Sequence, residues 1–310
     1  MRELPATRNG FCQGLSGRQL KSHNGIESID HPVIAVTDLD SARITYERLG
    51  FTVPPRGSHI EWGTGNLCIM FPHDYLEMRG IIDASRFTMH LDSHLDNFGE
   101  GLMGVALGTA DVESSYSEAA KHGIDTGDLR RLTRNFEHPE GWTQPSFQLF
   151  APAAAEIEGL MHVVVIQHLT PELIRRPDFL EHANGCTSVV SMAGTIYNIE
   201  RCASKMQRLL GDQAVEHSER GILLRLPSGQ FIELLLPDAY VDSYGVIADS
   251  PSPETPRLGA ITLCVSKLEN TARFFAGNDV AFTQPGIDTI RVAPDLTCGV
   301  TLQFVENEAT

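Results

Sequence analysis

The sequence IDHPVIAVTDLDSARITYERLGF, residues 29–51, predicts a strand followed by a helix. Its opening residues are mostly apolar and include Val33 and Ile34, as in a buried strand. Asp38 is then a suitable N-cap for a helix whose apolar residues recur at helical spacing, and Gly50 ends that helix. The order is therefore strand, helix, stop.

The sequence WGTGNLCIMFPHDYLEMRG, residues 62–80, predicts the strands that follow this helix. Glycine, asparagine and proline separate three short apolar runs, at residues 60–62, 67–71 and 75–78. Together the two segments form a βαβββ unit. His31 lies near the start of its first strand and Glu77 in the middle of its last, so the two side chains share one sheet face if these strands are neighbours.

The same pattern restarts at residues 99–124, GEGLMGVALGTADVESSYSEAAKHGI. Aligning Asp111 with Asp38 matches the two helices and places Gly104 where His31 stands. Further apolar segments complete this second unit, which ends at His168. The sequence therefore contains an internal repeat.

Two weaker copies of the unit follow at residues 186–237 and 258–306. A single unit of this kind cannot bury its own sheet face, so two of them must pair. We predict an α+β fold in which four βαβββ modules pair into two tandem domains, each surrounding a cavity. The predicted organisation is an N-terminal extension (1–27), a first domain (28–170), a linker (171–185) and a second domain (186–310).

The composition restricts the class of partner. The 310 residues include 24 Lys and Arg against 40 Asp and Glu, a formal net charge of -16, which predicts a small-molecule substrate and no nucleic-acid partner. No apolar run approaches the roughly 20 residues that span a bilayer, and no signal peptide is recognisable, so we expect a cytoplasmic protein without a membrane partner. The six cysteines form no CxxC pair, which argues against a zinc knuckle or a disulfide framework.

These segments, together with YLEMRG and QHLTPELIRRPDFLEHANG, resemble the glyoxalase-like branch of the vicinal oxygen chelate superfamily, which also includes bleomycin resistance proteins and extradiol dioxygenases. The resemblance covers nearly the whole chain after residue 27 and is closer in the first half. It implies paired βαβββ modules that form cups, in which side chains from the first and last strands hold a divalent metal. In the first cup these positions correspond to His31, Glu77, Gly104 and a residue near Gln167 or His168.

We predict that His31, Glu77 and His168 bind a divalent metal such as Mn, Fe, Zn, Co or Ni. Imidazole and carboxylate ligands suit these ions, and three protein ligands leave open positions for catalysis. His168 is preferred to Gln167 because successive strand residues face opposite sides. Two alternatives stay open: Arg79 is a plausible ion-pair partner for Glu77, and His168 could instead precede a helix.

Other polar and aromatic residues are candidates for contacts with the substrate. Arg131 and Arg134 are predicted to clamp an oxyanion, although arginines on an exposed strand would give the same pattern. The remaining predicted substrate contacts are Trp62, Asn66, Gly104, which leaves a metal position open, and Trp142.

The predicted function is that of a metal-dependent enzyme, of lyase, isomerase or hydrolase type, acting on a small oxygenated organic substrate. An extradiol-type Fe(II) ring-cleaving dioxygenase is one alternative, and a resistance protein that sequesters a small molecule is another. In the second domain Glu233 resembles Glu77 in position but has no histidine companion. We therefore predict a second domain without metal, with a role in pocket closure or in the contacts of a homodimer.

Overall fold

A computed structural model describes residues 24–138, 141–247 and 254–306 of the chain. Most of the predicted N-terminal extension and the last four residues of the predicted second domain lie outside the described residues. The described chain forms two β-sheets, one from each half of the sequence. Within it, no helix has the length and apolar character needed to cross a membrane.

The first half contains nine strands and three α-helices among its described residues. The strands are β1 (Ile26–Ala35), β2 (Gly57–His59), β3 (Thr64–Met70), β4 (Tyr75–Ile81), β5 (Gly101–Thr109), β6 (Arg130–His138), β7 (Gly141–Thr143), β8 (Ser146–Phe150) and β9 (Val163–His168). The helices are α1 (Leu39–Arg48), α2 (Leu91–Phe98) and α3 (Val112–Lys121).

The second half repeats this organisation. Its strands are β10 (Cys186–Thr195), β11 (Val215–Ser218), β12 (Gly221–Arg225), β13 (Phe231–Leu235), β14 (Arg257–Val265), β15 (Thr283–Gly286), β16 (Thr289–Val292) and β17 (Thr301–Glu306). Its helices are α4 (Ile199–Leu210), α5 (Pro237–Tyr244) and α6 (Leu268–Gly277).

The α+β fold of four βαβββ modules is confirmed. The modules are β1-α1-β2-β3-β4, β5-α3-β6-β8-β9, β10-α4-β11-β12-β13 and β14-α6-β15-β16-β17, while β7, α2 and α5 are additions. One strand differs from its prediction, because β2 ends at His59 and Trp62 lies in the turn before β3.

The helix caps support the internal alignment of the first two modules. Asp38 accepts a hydrogen bond from the Ser41 amide at 2.6 Å, and Asp111 accepts one from the Ser114 amide at 3.0 Å. Each aspartate thus satisfies an amide that the first turn of a helix leaves unpaired.

The first sheet closes into a barrel, whereas the second stays open. The strand order of the first sheet is β2-β3-β4-β1-β5-β9-β8-β6-β7, and an additional pairing of β2 with β6 closes the ring. The second sheet has the order β11-β12-β13-β10-β14-β17-β16-β15. In the barrel β1 is central, parallel to β4 with Val33 opposite Glu77, and antiparallel to β5.

One hydrophobic core connects the two halves of the chain. It contains outward-facing residues of the barrel, such as Ile34 and Leu76, together with residues of the second sheet, such as Met192 and Phe304. At this contact the rings of Phe51 and Phe304 lie 6.4 Å apart. The outward apolar face of each sheet is therefore buried against its own helices and against the other half, and the interior of the barrel is left for other side chains.

Candidate functional site

A cluster of buried polar side chains lies inside the barrel, centred on Glu77 of β4. Alternate residues of a strand share one face, so Glu77 and Arg79 project together into the barrel. Asn66 of β3 and His31 of β1 reach the same carboxylate from the neighbouring strands. All four side chains are nearly inaccessible to solvent.

His31 is held between two carboxylates. Its Nδ1 lies 2.6 Å from Asp30 Oδ1, and its Nε2 lies 3.4 Å from Glu77 Oε2. The Tyr75 ring stacks on the imidazole with centroids 4.2 Å apart. A bulge between Ile29 and His31 in the pairing of β1 with β5 allows the consecutive residues Asp30 and His31 to join one cluster.

This array favours charged forms. Burial alone would lower the pKa of His31, but the hydrogen bonds that it donates to Asp30 and Glu77 raise it above its usual value. Burial alone would raise the pKa of Glu77, yet Arg79 and His31 hold it well below its usual range. The pKa of Asp30 is likewise lowered, against burial, by His168 and His31. An imidazolium between two carboxylates is therefore the favoured state.

A second imidazole approaches Glu77 from the other side and has the opposite preference. His59 Nε2 lies 4.0 Å from Glu77 Oε1, and its Nδ1 lies 2.8 Å from Thr64 Oγ1. Burial, reinforced by the nearby positive charge of Arg79, lowers the pKa of His59 to about 3. Neighbouring groups whose pKa values are pushed apart in this way are typical of acid and base partners in catalysis.

Two arginines bring positive charge into the cluster. Arg79 Nη2 lies 2.6 Å from Glu77 Oε2, and Arg134 Nη1 of β6 lies 2.9 Å from Cys68 Sγ. Asn66 Nδ2 donates to Glu77 Oε1 at 2.7 Å. Three buried polar atoms of these side chains have no hydrogen-bond partner among the described residues: Asn66 Oδ1, Arg79 Nε and Arg134 Nη2.

A second part of the barrel interior is an apolar cluster. It is formed mainly by residues of β5, β6, β8 and β9, with Trp62 at the edge of the polar cluster, where its ring lies 5.2 Å from His59. The buried members are Trp62, Ala106, Leu132, Phe147, Leu149, Val164 and Ile166. A substrate here would meet polar groups on one side and hydrocarbon on the other.

The three predicted metal ligands are not brought together. His31 Nε2 and Glu77 Oε2, at 3.4 Å, suit two neighbouring ligands of one ion with bonds of about 2.1 Å. His168, however, lies with Nε2 3.0 Å from Asp30 Oδ1, which contacts the opposite nitrogen of His31. Arg79 also occupies the Glu77 oxygen that an ion would need. Within residues 24–138, 141–247 and 254–306, no group of three or more His, Cys, Asp or Glu side chains is arranged to hold a metal.

The donor set thus does not fit a three-ligand metal centre, and strand register explains why. The offset that aligns Asp38 with Asp111 also aligns Val33 with Ala106. Ala106 pairs with Val164 as Val33 pairs with Glu77, so the counterpart of Glu77 is an apolar valine rather than His168.

The remaining predicted site residues divide into two groups. Trp62, Asn66 and Arg134 lie in or beside the cluster, whereas Arg131 is exposed and Trp142 of β7 is 62% exposed. Gly104 does not leave an open ligand position: a Cβ there would lie 2.1 Å from the backbone oxygen of His162.

Several members of the cluster were missed from the sequence: Asp30, His59, Cys68 and Tyr75. The Asp-His dipeptide at the start of β1 was one available signal, since a carboxylate beside an imidazole commonly orients it. His59 had no such signal, because its neighbours in the cluster come from other strands.

The closed barrel of paired βαβββ modules with a buried histidine–glutamate centre defines a protein of the vicinal oxygen chelate class. The profile of the glyoxalase-like domain family matches residues 29–210, more than half of the chain, and the chain belongs to this family. No curated protein sequence matches it significantly.

Solved structures that share the fold include three examples. A hypothetical protein from Staphylococcus aureus has a TM-score of 0.64 and 11% identity, over 90% of this chain and 98% of the other. A triple mutant of 4-hydroxymandelate synthase from Streptomyces coelicolor has a TM-score of 0.59 and 10% identity, over 92% and 94%. A fusion of a xylose isomerase-like TIM barrel with 4-hydroxyphenylpyruvate dioxygenase has a TM-score of 0.52 and 11% identity, over 92% and 49%. At these identities the likeness concerns the fold alone.

Proposed function

We propose that this protein is an enzyme that transfers protons on a small oxygenated organic substrate inside the barrel, in a reaction of isomerase or lyase type. The observation that carries the proposal is the position of Glu77 between two buried imidazoles, with His31 Nε2 at 3.4 Å and His59 Nε2 at 4.0 Å. Membership of a glyoxalase-like family that includes enzymes is consistent with it.

His31 is suited to donate a proton. Asp30 accepts from Nδ1 and fixes the ring, so Nε2–H is directed toward Glu77 and the interior. A carbonyl oxygen of the substrate that gains negative charge during the reaction would be stabilised by this donor.

His59 is kept neutral, because burial lowers its pKa to about 3, and its unprotonated nitrogen is the proton acceptor that the cluster offers. When its Nδ1–H donates to Thr64 Oγ1, Nε2 carries the free lone pair. Removal of a proton from a carbon beside the carbonyl by His59, with donation of a proton to the carbonyl oxygen by His31, gives the enol isomer. Return of the proton from His59 to His31 then restores both rings. Burial of both rings keeps bulk water from competing for the proton.

The metal-dependent form of this function, predicted from the sequence, and the Fe(II) dioxygenase alternative both require a metal ligand set. Among the described residues, His31 and Glu77 lie close enough to share one ion, whereas His59 Nε2 is 4.0 Å from the other oxygen of Glu77 and His168 is committed to Asp30. The donor set therefore supports proton transfer by side chains, and no step of the proposal passes through a metal.

The proposal is tested by hydrogen exchange in D2O. The full chain is incubated with a panel of small 2-oxo acids, 2-hydroxy acids and 1,2-dicarbonyl compounds, and loss of the carbon-bound proton is followed by NMR. We expect catalysed exchange for at least one compound, because an enol released after proton removal takes up deuterium at carbon from the solvent, even without net turnover. His59→Gln should abolish it, whereas His217→Gln, which alters an exposed histidine of the second domain, should leave it unchanged.

A sequestering protein would give a different result. It would bind a member of the panel tightly and stoichiometrically, with no exchange above the uncatalysed rate. Such binding without exchange in the wild-type protein would refute the enzyme proposal.

A further inference from the structure

The feature that leads beyond proton transfer is Arg79, which occupies the position expected for a metal ion. Its Nη2 lies 2.6 Å from Glu77 Oε2, on the carboxylate oxygen that also faces His31. The side chain is 6% exposed, so water does not screen its charge. A dication on the same oxygen would be repelled by the guanidinium unless Arg79 moved away.

Arg134 adds a second guanidinium from across the barrel. It is 4% exposed, and its side-chain contacts are the thiol of Cys68 at 2.9 Å and the ring of Phe136, whose centroid lies 5.5 Å from Cζ. A buried guanidinium beside a neutral partner is unfavourable unless an anion joins it. Its Nη2 has no hydrogen-bond partner among the described residues, and neither has Arg79 Nε.

The charges inside the barrel do not balance. Asp30 is engaged with His31 and His168, so Glu77 is left to face the guanidinium groups of Arg79 and Arg134. This leaves an excess of positive charge beside two unused N–H donors. Guanidinium N–H groups bind both carboxylates and phosphates, and the single negative charge of a monocarboxylate matches this excess better than the higher charge of a phosphate.

We infer that Arg79 takes the electrostatic place of a metal ion, and that the barrel binds an organic monocarboxylate with an apolar body without any metal. The apolar body follows from the opposite wall, which includes Leu132, Phe147 and Ile166. The inference rests on the proposed function, since it names the class of substrate for the same site.

Phenylacetate is a suitable probe, and 2-phenylethanol is its neutral counterpart with the same apolar body. Binding of each to the full chain is measured by calorimetry, before and after treatment with EDTA. We expect phenylacetate to bind equally well in both preparations, and at least tenfold more tightly than 2-phenylethanol. Binding that is lost with EDTA and restored by Zn²⁺ would overturn the inference, as would equal affinity for the acid and the alcohol.

Variants of the two arginines assign the site. Arg134→Gln should weaken phenylacetate binding at least tenfold and leave 2-phenylethanol unaffected. Arg130→Gln is the matched control, because it removes the same charge from an exposed position of the same strand. Equal phenylacetate affinity in these two variants would contradict the inference.

Arg79→Gln tests whether the guanidinium of Arg79 prevents a metal ion from binding to Glu77. Without the guanidinium, His31 and Glu77 are free to bind an ion, so this variant should take up Co²⁺ in equilibrium dialysis while the wild-type protein does not. Uptake that is equal in both proteins would refute the role of Arg79. If circular dichroism shows that Arg79→Gln does not fold, the EDTA comparison and the Arg134→Gln variant still test the inference.

The outcomes separate this inference from the proposed function. Phenylacetate binding without hydrogen exchange on any compound would refute the proposed enzyme activity and support the carboxylate site. Hydrogen exchange that requires an added metal would support the proposed enzyme activity and refute the metal-free inference.

Discussion

Replacement of Gly104 by alanine should destabilise the fold, although the sequence alone suggested an open position there. An ideal Cβ on Gly104 would lie 2.1 Å from the backbone oxygen of His162 and 2.8 Å from its Cβ. The same oxygen accepts a hydrogen bond from the Val105 amide at 2.9 Å. Since a carbon and an oxygen normally stay about 3.3 Å apart, β5 and the segment before β9 would have to separate by roughly 1 Å.

The cost has two parts. Overpacking of a tight contact costs about 1–3 kcal/mol, and loss of a buried backbone hydrogen bond adds about 1 kcal/mol. We therefore expect Gly104→Ala to lower the free energy of unfolding by about 3 kcal/mol. At about 2 °C per kcal/mol for a chain of this size, Tm should fall by roughly 5 °C or more.

The measurement is urea unfolding of the full chain followed by circular dichroism, with Tm as a second reading. Gly277→Ala is the matched control: it lies at the end of α6, has no positive φ, and its Cβ would have no heavy atom within 4 Å. That change should be neutral or stabilise by up to about 1 kcal/mol. If the two variants are equally stable, the close approach of β5 to the segment before β9 is refuted.

Two further predictions concern the carboxylates outside the barrel cluster. Asp74 accepts from the Val189 amide and from Gln230 Nε2, and burial raises its pKa from 3.8 to about 7. Because the folded state then holds a proton that the unfolded state has lost, the free energy of unfolding should fall as pH rises from about 4 to 7, by at most about 1.4 kcal/mol per pH unit. Unfolding curves of Asp74→Asn should lack this slope, and an unchanged slope would contradict the assignment. Asp111→Ala, which removes the cap on the Ser114 amide, should cost about 1 kcal/mol by urea unfolding, and no loss relative to Asp111→Asn would show that the cap is unimportant.

Local patterns in the sequence were sufficient for the modules. The four βαβββ units follow from alternating apolar runs, from N-caps such as Asp38 and Asp111, and from glycines that end helices. Each of these signals acts over a few neighbouring residues, so it can be read without knowledge of the tertiary contacts. The proximity of His31 to Glu77 could also be predicted from the sequence, because the first and last strands of one module pair directly.

Tertiary structure decided which side chains complete the site. His59 and Arg134 meet because β2 pairs with β6 and closes the barrel, a contact between strands far apart in the chain. The register of β5 with β9 gives Val164 the position that corresponds to Glu77, and His168, further along the same strand, meets Asp30 instead. The sequence indicated Arg79 as an ion-pair partner of Glu77, but it did not indicate that Arg79 lies where a metal ion would bind to Glu77. Sequence patterns specify which face a residue occupies, whereas register and closure, set by packing over the whole chain, determine what lies opposite.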